Sequence, residues 1–480
     1  MKDKIVLVMD CGATNVRTIA VSERGALLAS QSMPNNTRPD PQFAGGVIWD
    51  VQEIWNKLVT CTASVIKQID PSLIAGVTVT TFGVDGAPMD RNGNILYPVI
   101  SWQCSRTAPI MENINKYIAP DKLFELNGLQ PFSFNTINKL IWFKENRPDI
   151  IDKMDRFVFI PSIFLYFLCG EIVNDTTMAG TSMLTDIGRR TFSDTIFSAI
   201  GIDSRKMARL IEPGTVAGRI SAAASAKTGI PEGIPVIATG HDTQFAIFGS
   251  GADENIPVLS TGTWEILMVR SRKYSTAPAI LKQNITTEWD PVPGLYNMGV
   301  QWIGSGLVEW VKKTFYPAEA GSPTIYDIMI NEGEQVPAGS HGVTINPYFF
   351  AEQGTRSEGA IEGLTLNSTR ADIYRACLET LSRKVKSNLA ILEQAGGFKA
   401  QSLIVVGGGS KNRLWNNIRA GILGIPLTLI DQKETTVLGA ALFAFSGAGV
   451  YSSPDEARNQ INYLPQPVEP ILKNEYEHLN

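Results

Sequence analysis

The sequence predicts a mixed α/β protein with two large domains, and three observations carry this prediction. The chain has 480 residues, more than one domain usually contains. Strand-like runs at 4–10 and 16–25 precede a helical pattern at 49–69 and a β-rich segment at 75–86. Two loops that contain Gly and Thr follow apolar runs about half a chain apart. The order strand, strand, helix, strand is typical of an α/β domain.

The two Gly- and Thr-bearing loops indicate two related halves. One loop follows the apolar run that ends at Asp10, and the other comprises residues 260–263. Each continues into a second β-rich stretch, as a hairpin turn would. We therefore predict two domains, 1–246 and 247–480, which meet at a Gly-rich stretch of the sequence.

Two further segments predict buried elements. Residues 157–170 are apolar but contain a Pro, and they are fewer than the roughly 20 residues that a membrane-spanning helix needs. We interpret them as part of the core. Residues 370–395 have a long helical pattern, and Gly396 and Gly397 form a stop signal after it.

Composition excludes several classes of protein. Lys and Arg number 42 against 47 Asp and Glu, which argues against a nucleic-acid-binding protein because such proteins carry an excess of basic residues. The three His and five Cys are dispersed, so we expect no zinc or haem site. No signal peptide or membrane span is expected, and the scattered Cys suit a reducing compartment. The sequence therefore predicts a cytoplasmic protein without a membrane partner.

The glycine loops are not the two commonest nucleotide-binding motifs. No Gly precedes a Lys, so a Walker A loop is excluded, and no G-x-G-x-x-G supports a nicotinamide or flavin enzyme. A Gly and Thr turn in a hairpin still gathers backbone N–H groups that bind phosphate. A third loop, at 407–410, also follows an apolar run. Together the three loops predict a nucleotide held between the two halves.

The motifs resemble those of known kinases. Residues 10–17 (DCGATNVR), 260–265 (STGTWE) and 405–412 (VVGGGSKN) resemble the two phosphate motifs and the adenosine motif of sugar kinases with the actin/Hsp70-type ATPase fold. Residues 134–146 and 407–430 resemble the N- and C-terminal signatures of the FGGY carbohydrate kinases. The resemblance implies a two-domain actin/Hsp70/sugar-kinase (ribonuclease H-like) fold with a duplicated core and an interdomain cleft.

The resemblance also implies a substrate. Four segments, 80–86, 101–107, 178–182 and 240–246, are most similar to the branch of the family that phosphorylates L-fuculose. The branch that phosphorylates L-rhamnulose is the next most similar. Cys104 departs from the Asp that many members carry there. The implied reaction is transfer from ATP, with Mg²⁺, to O1 of L-fuculose in L-fucose catabolism.

Alternatives to this reaction remain open at the level of the sequence. Within the same class, the substrate could be L-rhamnulose, D-ribulose or another ketopentose. In a different class, the chain would be a non-catalytic ATP-switching binding protein on the same fold. The expected partners are ATP and a small ketose, and homo-oligomer formation is left open.

The resemblance assigns roles to particular residues. Asp242 is implied as the catalytic base, where a turn or helix cap is the alternative, and we interpret His241 beside it as local structure. Asp10 is implied to hold Mg²⁺ directly or through water, where capping of the hairpin is the alternative. The implied ATP-binding residues are Thr14, Asn15, Arg17, Thr261, Gly262, Thr263, Gly408, Gly409 and Asn412. For the sugar, Asp85 and Arg106 are the main candidates to bind hydroxyl groups, and Phe82 and Trp102 are candidates for an apolar wall. Gln244 and Asn297 are weaker candidates.

Overall fold

A computed structural model describes residues 3–349, 358–432 and 434–479 of the chain. It contains two compact α/β units, and neither is continuous in sequence. The first unit comprises Met1–Gly251, Ser275–Asn297 and Glu434–Asn462. The second unit comprises Ala252–Tyr274, Met298–Lys433 and Tyr463–Asn480. The division of the sequence after residue 246 stays a prediction.

The strands of the described residues are short, and most have three to eight residues. They are β1 (Ile5–Cys11), β2 (Asn15–Ser22), β3 (Leu27–Pro34), β4 (Arg38–Pro39), β5 (Val47–Trp49), β6 (Ile74–Thr81), β7 (Gly86–Met89), β8 (Val99–Ile100), β9 (Arg156–Phe159), β10 (Val173–Asp175), β11 (Thr185–Asp186), β12 (Thr191–Phe192), β13 (Arg209–Ile211), β14 (Val216–Arg219), β15 (Pro235–Ile237), β16 (Val258–Thr261), β17 (Trp264–Ser271), β18 (Thr286–Trp289), β19 (Tyr296–Ile303), β20 (Thr344–Asn346), β21 (Ala360–Glu362), β22 (Leu403–Gly407), β23 (Leu427–Leu429) and β24 (Gln466–Val468).

The α-helices range from one turn to 27 residues. They are α1 (Val51–Ile66), α2 (Ala108–Glu112), α3 (Pro120–Asn127), α4 (Thr136–Asn146), α5 (Pro148–Lys153), α6 (Ile160–Cys169), α7 (Thr176–Gly180), α8 (Asp194–Ile200), α9 (Ala222–Thr228), α10 (Asp242–Gly249), α11 (Pro278–Leu281), α12 (Ser305–Phe315), α13 (Ile325–Glu334), α14 (Arg370–Gly396), α15 (Arg413–Leu423), α16 (Thr435–Gly447), α17 (Pro454–Arg458) and α18 (Lys473–Glu477). Short 3-10 helices cover Pro71–Leu73, Ser105–Thr107, Ile114–Lys116, Ser204–Lys206, Ser340–Gly342 and Gly408–Lys411.

The first unit is built on a sheet with the strand order β14-β15-β6-β1-β2-β3. β1 and β2 form the predicted antiparallel hairpin, and β1 runs parallel to β6, which runs parallel to β15. Every residue of β1 is buried, because strands in the middle of such a sheet are covered on both faces. The hairpin register pairs Asp10 directly with Arg17, which places the two side chains on the same face.

Five neighbouring strands of the second unit repeat this arrangement, in the order β17-β16-β22-β23-β24. β16 and β17 form a hairpin, β16 and β22 are parallel, β22 and β23 are parallel, and β24 is an antiparallel edge strand. The first unit has the same sequence of directions from β2 to β14. The duplication predicted from the two Gly- and Thr-bearing loops is therefore confirmed.

A helix from late in the chain completes the core of the first unit. α16 packs against α10, β6 and β1. The two helices cross at Gly249 and Gly439, where added Cβ atoms would overlap the carbonyl oxygens of Thr435 and Phe245 respectively. Only glycine permits this close approach of the two backbones. α16 thereby supports the helix that begins at Asp242.

The two other predicted elements are also present. Residues 157–170 form most of β9 and all of α6, which are largely buried, and Gly170 caps α6 in the left-handed region. No helix in the described part of the chain is long and apolar enough to cross a membrane. α14 covers the predicted segment 370–395, ends at Gly396 and is capped by Gly397. Its first turn has a capping box of Thr369 and Asp372.

Candidate active site

The turn between β1 and β2 presents two polar side chains to solvent. Gly12 N–H donates to the Asn15 carbonyl over 2.9 Å, which closes the turn. Asn35, buried beneath it, donates its side-chain amide to Gly12 O and its backbone N–H to Thr14 O. The backbone of the turn is therefore held from below, whereas the side chains of Thr14 and Asn15 are exposed. A turn of this kind is pre-arranged to bind an anion.

An ion-pair chain joins the hairpin to the start of α16. Arg17 Nε lies 2.7 Å from Asp10 Oδ2, and Arg17 Nη2 lies 2.8 Å from Glu434 Oε2. Asp10 is only 7% exposed. Burial raises the pKa of Asp10 to about 6, although Arg17 opposes this shift. The sequence predicted Asp10 and Arg17 as site residues, but it offered no signal for Glu434, which lies more than 400 residues away.

Asp242 begins α10, shortly after the end of β15. Its Oδ1 accepts hydrogen bonds from the backbone N–H of Thr243 over 2.6 Å and from its hydroxyl over 3.1 Å. The side chain is 30% exposed, so an outer oxygen remains accessible to a ligand. Burial raises the pKa of Asp242, whereas the neighbouring His241 opposes the shift. A half-buried carboxylate with a raised pKa is a suitable proton acceptor.

Gln244 is the third residue of α10 and is fully buried. Its Nε2 donates to Glu288 on β18, and its Oε1 accepts from the side-chain amide of Asn297 on β19. Both ends of the amide are therefore occupied by protein groups. Asn297, which like Gln244 is a weaker candidate from the sequence, keeps a buried Oδ1 without a hydrogen-bond partner. Glu288 is a residue that sequence reasoning missed.

Asp85 lies in a buried cluster of donors. Its Oδ1 pairs with Lys139 of α4, and its Oδ2 accepts from Trp49 Nε1 over 2.7 Å and from Trp102 N over 3.0 Å. Lys139 also donates to the carbonyl of Val84, a residue at φ 65°. Burial raises the pKa of Asp85 and lowers that of Lys139, and their pairing opposes both shifts. The role of Asp85 as a sugar ligand stays a prediction.

Arg106 is the centre of a second buried cluster. Its Nη2 lies 2.6 Å from Asp40 Oδ2, its Nη1 donates to the Tyr97 hydroxyl, and its Nε donates to Cys104 Sγ over 3.1 Å. The guanidinium also lies over the ring of Trp142, 4.8 Å from its centroid. Burial raises the pKa of Cys104, but hydrogen bonds from Arg106 and a neighbouring backbone amide outweigh burial and lower this pKa below its usual value. Cys104, which replaces the Asp of many family members, is therefore bound by Arg106.

Aromatic side chains surround the Asp85 cluster. Phe82 is buried and packs on Trp49, with 4.7 Å between ring centroids. Trp102 is 36% exposed and meets Phe134 edge to face, and Phe134 stacks on Phe132 with centroids 4.9 Å apart. We call Trp102, Phe132 and Phe134 the aromatic wall. Its members are partly accessible, whereas Phe82 is a core residue.

The second hairpin loop lies in the second unit, between β16 and β17. Thr261 is buried, and its hydroxyl donates to the carbonyl of Val406 over 2.6 Å. Gly262 and Thr263 are exposed. Below the loop, Glu265 pairs with Arg419, and both side chains are fully buried. Gly262 and Thr263 are therefore the members of this loop that are available to a ligand.

The third loop follows β22. Gly407 has φ 92°, a conformation that favours glycine. Gly408 is exposed, and a Cβ built there would meet no atom within 4 Å, whereas Gly409 packs on Thr261. Asn412 caps α15 by accepting from Trp415 N, and its amide donates to the Tyr374 hydroxyl over 2.7 Å. The side chain of Asn412 thus has a structural role, and its ribose contact stays a prediction.

The comparison with known families assigns the chain. The N-terminal domain of the FGGY family of carbohydrate kinases matches residues 5–249, and the C-terminal domain of the same family matches residues 258–448. The chain belongs to the FGGY family of carbohydrate kinases. The resemblance found in the sequence motifs is therefore confirmed.

Relatives of this FGGY kinase cover almost its whole length. The chain is 46% identical to the L-fuculokinase of Escherichia coli O157:H7 over 463 residues, 96% of each chain. It is 43% identical to the L-fuculokinase of Haemophilus influenzae over 478 residues, 98% of this chain and 99% of the relative. The crystal structure of xylulose kinase from Rhodospirillum rubrum has a TM-score of 0.88 at 21% identity and covers 99% of this chain and 97% of that one.

These findings confirm the predicted two-domain sugar-kinase fold. As a member of this family, the protein is an ATP-dependent sugar kinase, and the family's chemistry uses ATP with a divalent metal. Across residues 3–349, 358–432 and 434–479, no three His, Cys, Asp or Glu side chains gather into a group that could hold a metal ion.

Proposed function

We propose that this FGGY kinase transfers the γ-phosphoryl group of ATP to O1 of L-fuculose, giving L-fuculose 1-phosphate and ADP, in L-fucose catabolism. The choice of sugar rests on the similarity to the two L-fuculokinases, which are 43–46% identical to this chain over almost its full length. The partly accessible aromatic wall supports it, because a 6-deoxy sugar has a methyl group that packs on aromatic rings.

Asp242 is the proton acceptor in this proposal. As O1 attacks the γ-phosphorus, its proton passes to the Asp242 carboxylate, the new O–P bond forms, and the bond from phosphorus to the bridging oxygen of ADP breaks. A carboxylate is a weak base for a sugar hydroxyl, so the proton moves late in the step. Hydrogen bonds from Thr243 hold the carboxylate in place, which restricts its motion before the transfer.

The residues of the three loops bind the nucleotide in this proposal. Thr14 and Asn15 donate to phosphate oxygens from the first loop, and Arg17 adds a positive charge beside them. Gly262 and Thr263 supply donors from the second loop, with Thr261 supporting its backbone. Gly408 and Gly409 allow the backbone to approach the adenosine, with Asn412 beside them.

The donor set around Asp10 fits a Mg²⁺ ion that is held mainly by the nucleotide. Mg²⁺ prefers oxygen ligands and usually takes only one or two protein carboxylates, with phosphate and water completing its shell. Asp10 provides a carboxylate whose Oδ2 is engaged by Arg17. Asp10 would hold the ion directly or through water. When bound, the ion neutralises charge on the phosphates during transfer.

The sugar lies against the aromatic wall in this proposal, close to Asp85. Trp102 contributes both its ring and the backbone N–H that binds Asp85. Asp85, Arg106 and Gln244 each have protein partners already. They therefore order the sugar-binding surface, and a sugar hydroxyl can reach them only by sharing those partners.

A kinase with this function belongs in the cytoplasm, where ATP is available. The five cysteines are free thiols, as expected in a reducing compartment. The predicted sequence domains, 1–246 and 247–480, remain our proposal for the division of the sequence.

A panel of ketoses tests the proposed substrate. ADP release, coupled to NADH oxidation, is measured with L-fuculose, L-rhamnulose, D-ribulose, L-ribulose and D-xylulose. We expect the highest kcat/KM for L-fuculose. A higher kcat/KM for another ketose would replace L-fuculose as the substrate. The same preparation carrying Asp242→Asn is the control for a contaminating kinase.

The aromatic wall should determine the preference for a 6-deoxy sugar. We expect Trp102→Ala to lower kcat/KM for L-fuculose by about 10- to 100-fold, since a methyl group in an apolar site contributes about 1–3 kcal/mol to discrimination. The loss for D-ribulose, which has no C6, should be smaller. Leu27→Ala, an exposed apolar residue of β3, is the control and should change neither. An equal loss for both sugars would contradict a role in specificity.

A further inference from the structure

A buried series of polar side chains connects Asp242 to strands outside its own helix. His241 Nε2 lies 3.6 Å from Asp242 Oδ1, and His241 Nδ1 lies 3.3 Å from Glu288 Oε2. The side chains of His241 and Glu288 are 12% and 11% exposed. The imidazole therefore lies between two carboxylates, one on α10 and one on β18.

The position of Glu288 is itself fixed by neighbours. The same Oε2 that faces His241 accepts from Gln244 Nε2, and Gln244 Oε1 accepts from the amide of Asn297. Gln244 follows Asp242 by two residues on α10, whereas Glu288 and Asn297 lie on β18 and β19. The contacts hold the Glu288 carboxylate toward the imidazole.

The backbone of His241 is fixed by a separate contact. Its N–H donates to Thr177 Oγ1 over 2.9 Å, and the Thr177 hydroxyl donates to Asp175 Oδ1. On the opposite side the imidazole lies against Gly83, where an added Cβ would be 2.7 Å from His241 Nε2. The ring consequently has little room to turn away from Asp242.

The charges around the ring favour the imidazolium form. Burial disfavours a charged imidazole, but Glu288, Asp242 and Asp175 outweigh it and raise the pKa of His241. The positive ring in turn lowers the pKa of Asp242, which burial and the negative charge of Glu288 raise. Asp10 also faces Asp242 as a further negative charge. Asp10 is itself paired with Arg17, so His241 is the cation beside three carboxylates, Glu288, Asp242 and Asp175.

We propose that Glu288 and His241 are positioning residues for Asp242, in which Glu288 holds the imidazole beside the Asp242 carboxylate so that this carboxylate is oriented and ionised when the sugar hydroxyl loses its proton. This inference rests on the proposed function, since it assumes that Asp242 is the base. Glu288 and His241 exchange no proton with the substrate. The proton from O1 remains on Asp242 until the product leaves, and the ring stays an imidazolium.

The proposal is tested with Glu288→Gln, which removes the charge and keeps the size of the side chain. Without its carboxylate partner the ring loses its proton. The loss of this positive charge, 3.6 Å from Asp242, raises the pKa of Asp242 more than the loss of the Glu288 charge lowers it, because His241 acts on Asp242 more strongly than Glu288 does. We expect the acidic limb of the kcat–pH profile to move up by about one pH unit. Below that limb kcat should fall about tenfold, since one pKa unit is a tenfold change in the ionised fraction. KM for the sugar and for ATP should change less than about threefold, as expected when binding contacts are retained.

Two further variants keep the test decisive. His241→Gln also removes the cation and should move the limb in the same direction, even if Glu288→Gln folds poorly. Glu288→Asp retains the carboxylate and should return the limb toward its parental position. Glu53→Gln, which removes a carboxylate paired with Arg38 and Lys57 on the surface of α1, is the matched control.

The outcomes separate this inference from the proposed function. If the parent enzyme phosphorylates no ketose, the proposed function fails. If the parent is active and Asp242→Asn is not, the proposed function stands. An acidic limb of the kcat–pH profile that stays in place or moves down in both Glu288→Gln and His241→Gln then overturns the positioning role of Glu288 and His241. A rise in sugar KM with an unchanged limb also overturns it, because that result identifies Glu288 as a part of the sugar-binding surface.

Discussion

Asp242→Asn is expected to lower kcat by about 10²- to 10⁴-fold, the usual contribution of a general base. The Asn side chain keeps an oxygen that can accept from Thr243 N–H, so the geometry of the first turn of α10 is preserved. It cannot accept the proton of the sugar hydroxyl. The Kd for ATP, measured by isothermal titration, should stay within about threefold, since only a transition-state interaction is removed.

Turnover by the Asn variant within about tenfold of the parent would contradict the role of Asp242. Asp242→Ala should lose at least as much activity, because it also removes the acceptor for Thr243. Asp121→Asn changes an exposed carboxylate in the first turn of α3 and should leave kcat unchanged. Because Asp242→Asn and Asp121→Asn each remove one negative charge from the first unit, comparing them separates the effect of proton acceptance from the effect of net charge.

Lys139→Met is expected to destabilise the first unit by about 3–5 kcal/mol, the usual effect of removing one partner of a buried ion pair. Lys139 and Asp85 are at most 1% exposed in their side chains. Met has a similar length but no charge, so Asp85 would keep only the hydrogen bonds from Trp49 and Trp102. The free energy of unfolding is measured by urea titration with tryptophan fluorescence.

A second substitution checks the cause of this loss. Asp85→Asn combined with Lys139→Met removes both charges, and the double variant should be more stable than Lys139→Met alone. Lys122→Met removes a cation from an exposed ion pair with Glu125 on α3 and should leave stability unchanged within error. Equal stability of Lys139→Met and the parent would contradict the importance of the buried pair.

The sequence predicted the parts of the fold that depend on local patterns. The hairpins, α1 and α14 could be found because apolar periodicity and glycine stop signals act over a few residues. The order of strands in each sheet could not be found in this way, since parallel neighbours such as β1 and β6 are joined by long connections. The membership of α16 in the first unit likewise depends on packing between distant segments.

The sequence placed the loops of the site but not the partners of their side chains. The motif around Asp242 was recognised, yet Glu288 is 46 residues further along in a segment without any motif. Arg106 was predicted as a hydroxyl ligand from its motif, whereas its buried partner Asp40 lies 66 residues earlier. Buried charges need partners, but sequence alone does not say which carboxylate satisfies that need.

The late position of α16 in the chain has a consequence for synthesis on the ribosome. The first 250 residues emerge well before residues 435–447, while the surfaces of β1 and β6 that α16 covers are still open. Nine residues of α16 are buried in the finished protein, and the eight that carry a side chain are all apolar. A nascent chain that has emerged as far as Gly249 therefore lacks α16 and exposes the apolar surface of β1, β6 and α10 that this helix covers. We therefore expect the first unit to reach its stable fold only after residues 435–447 have been synthesised.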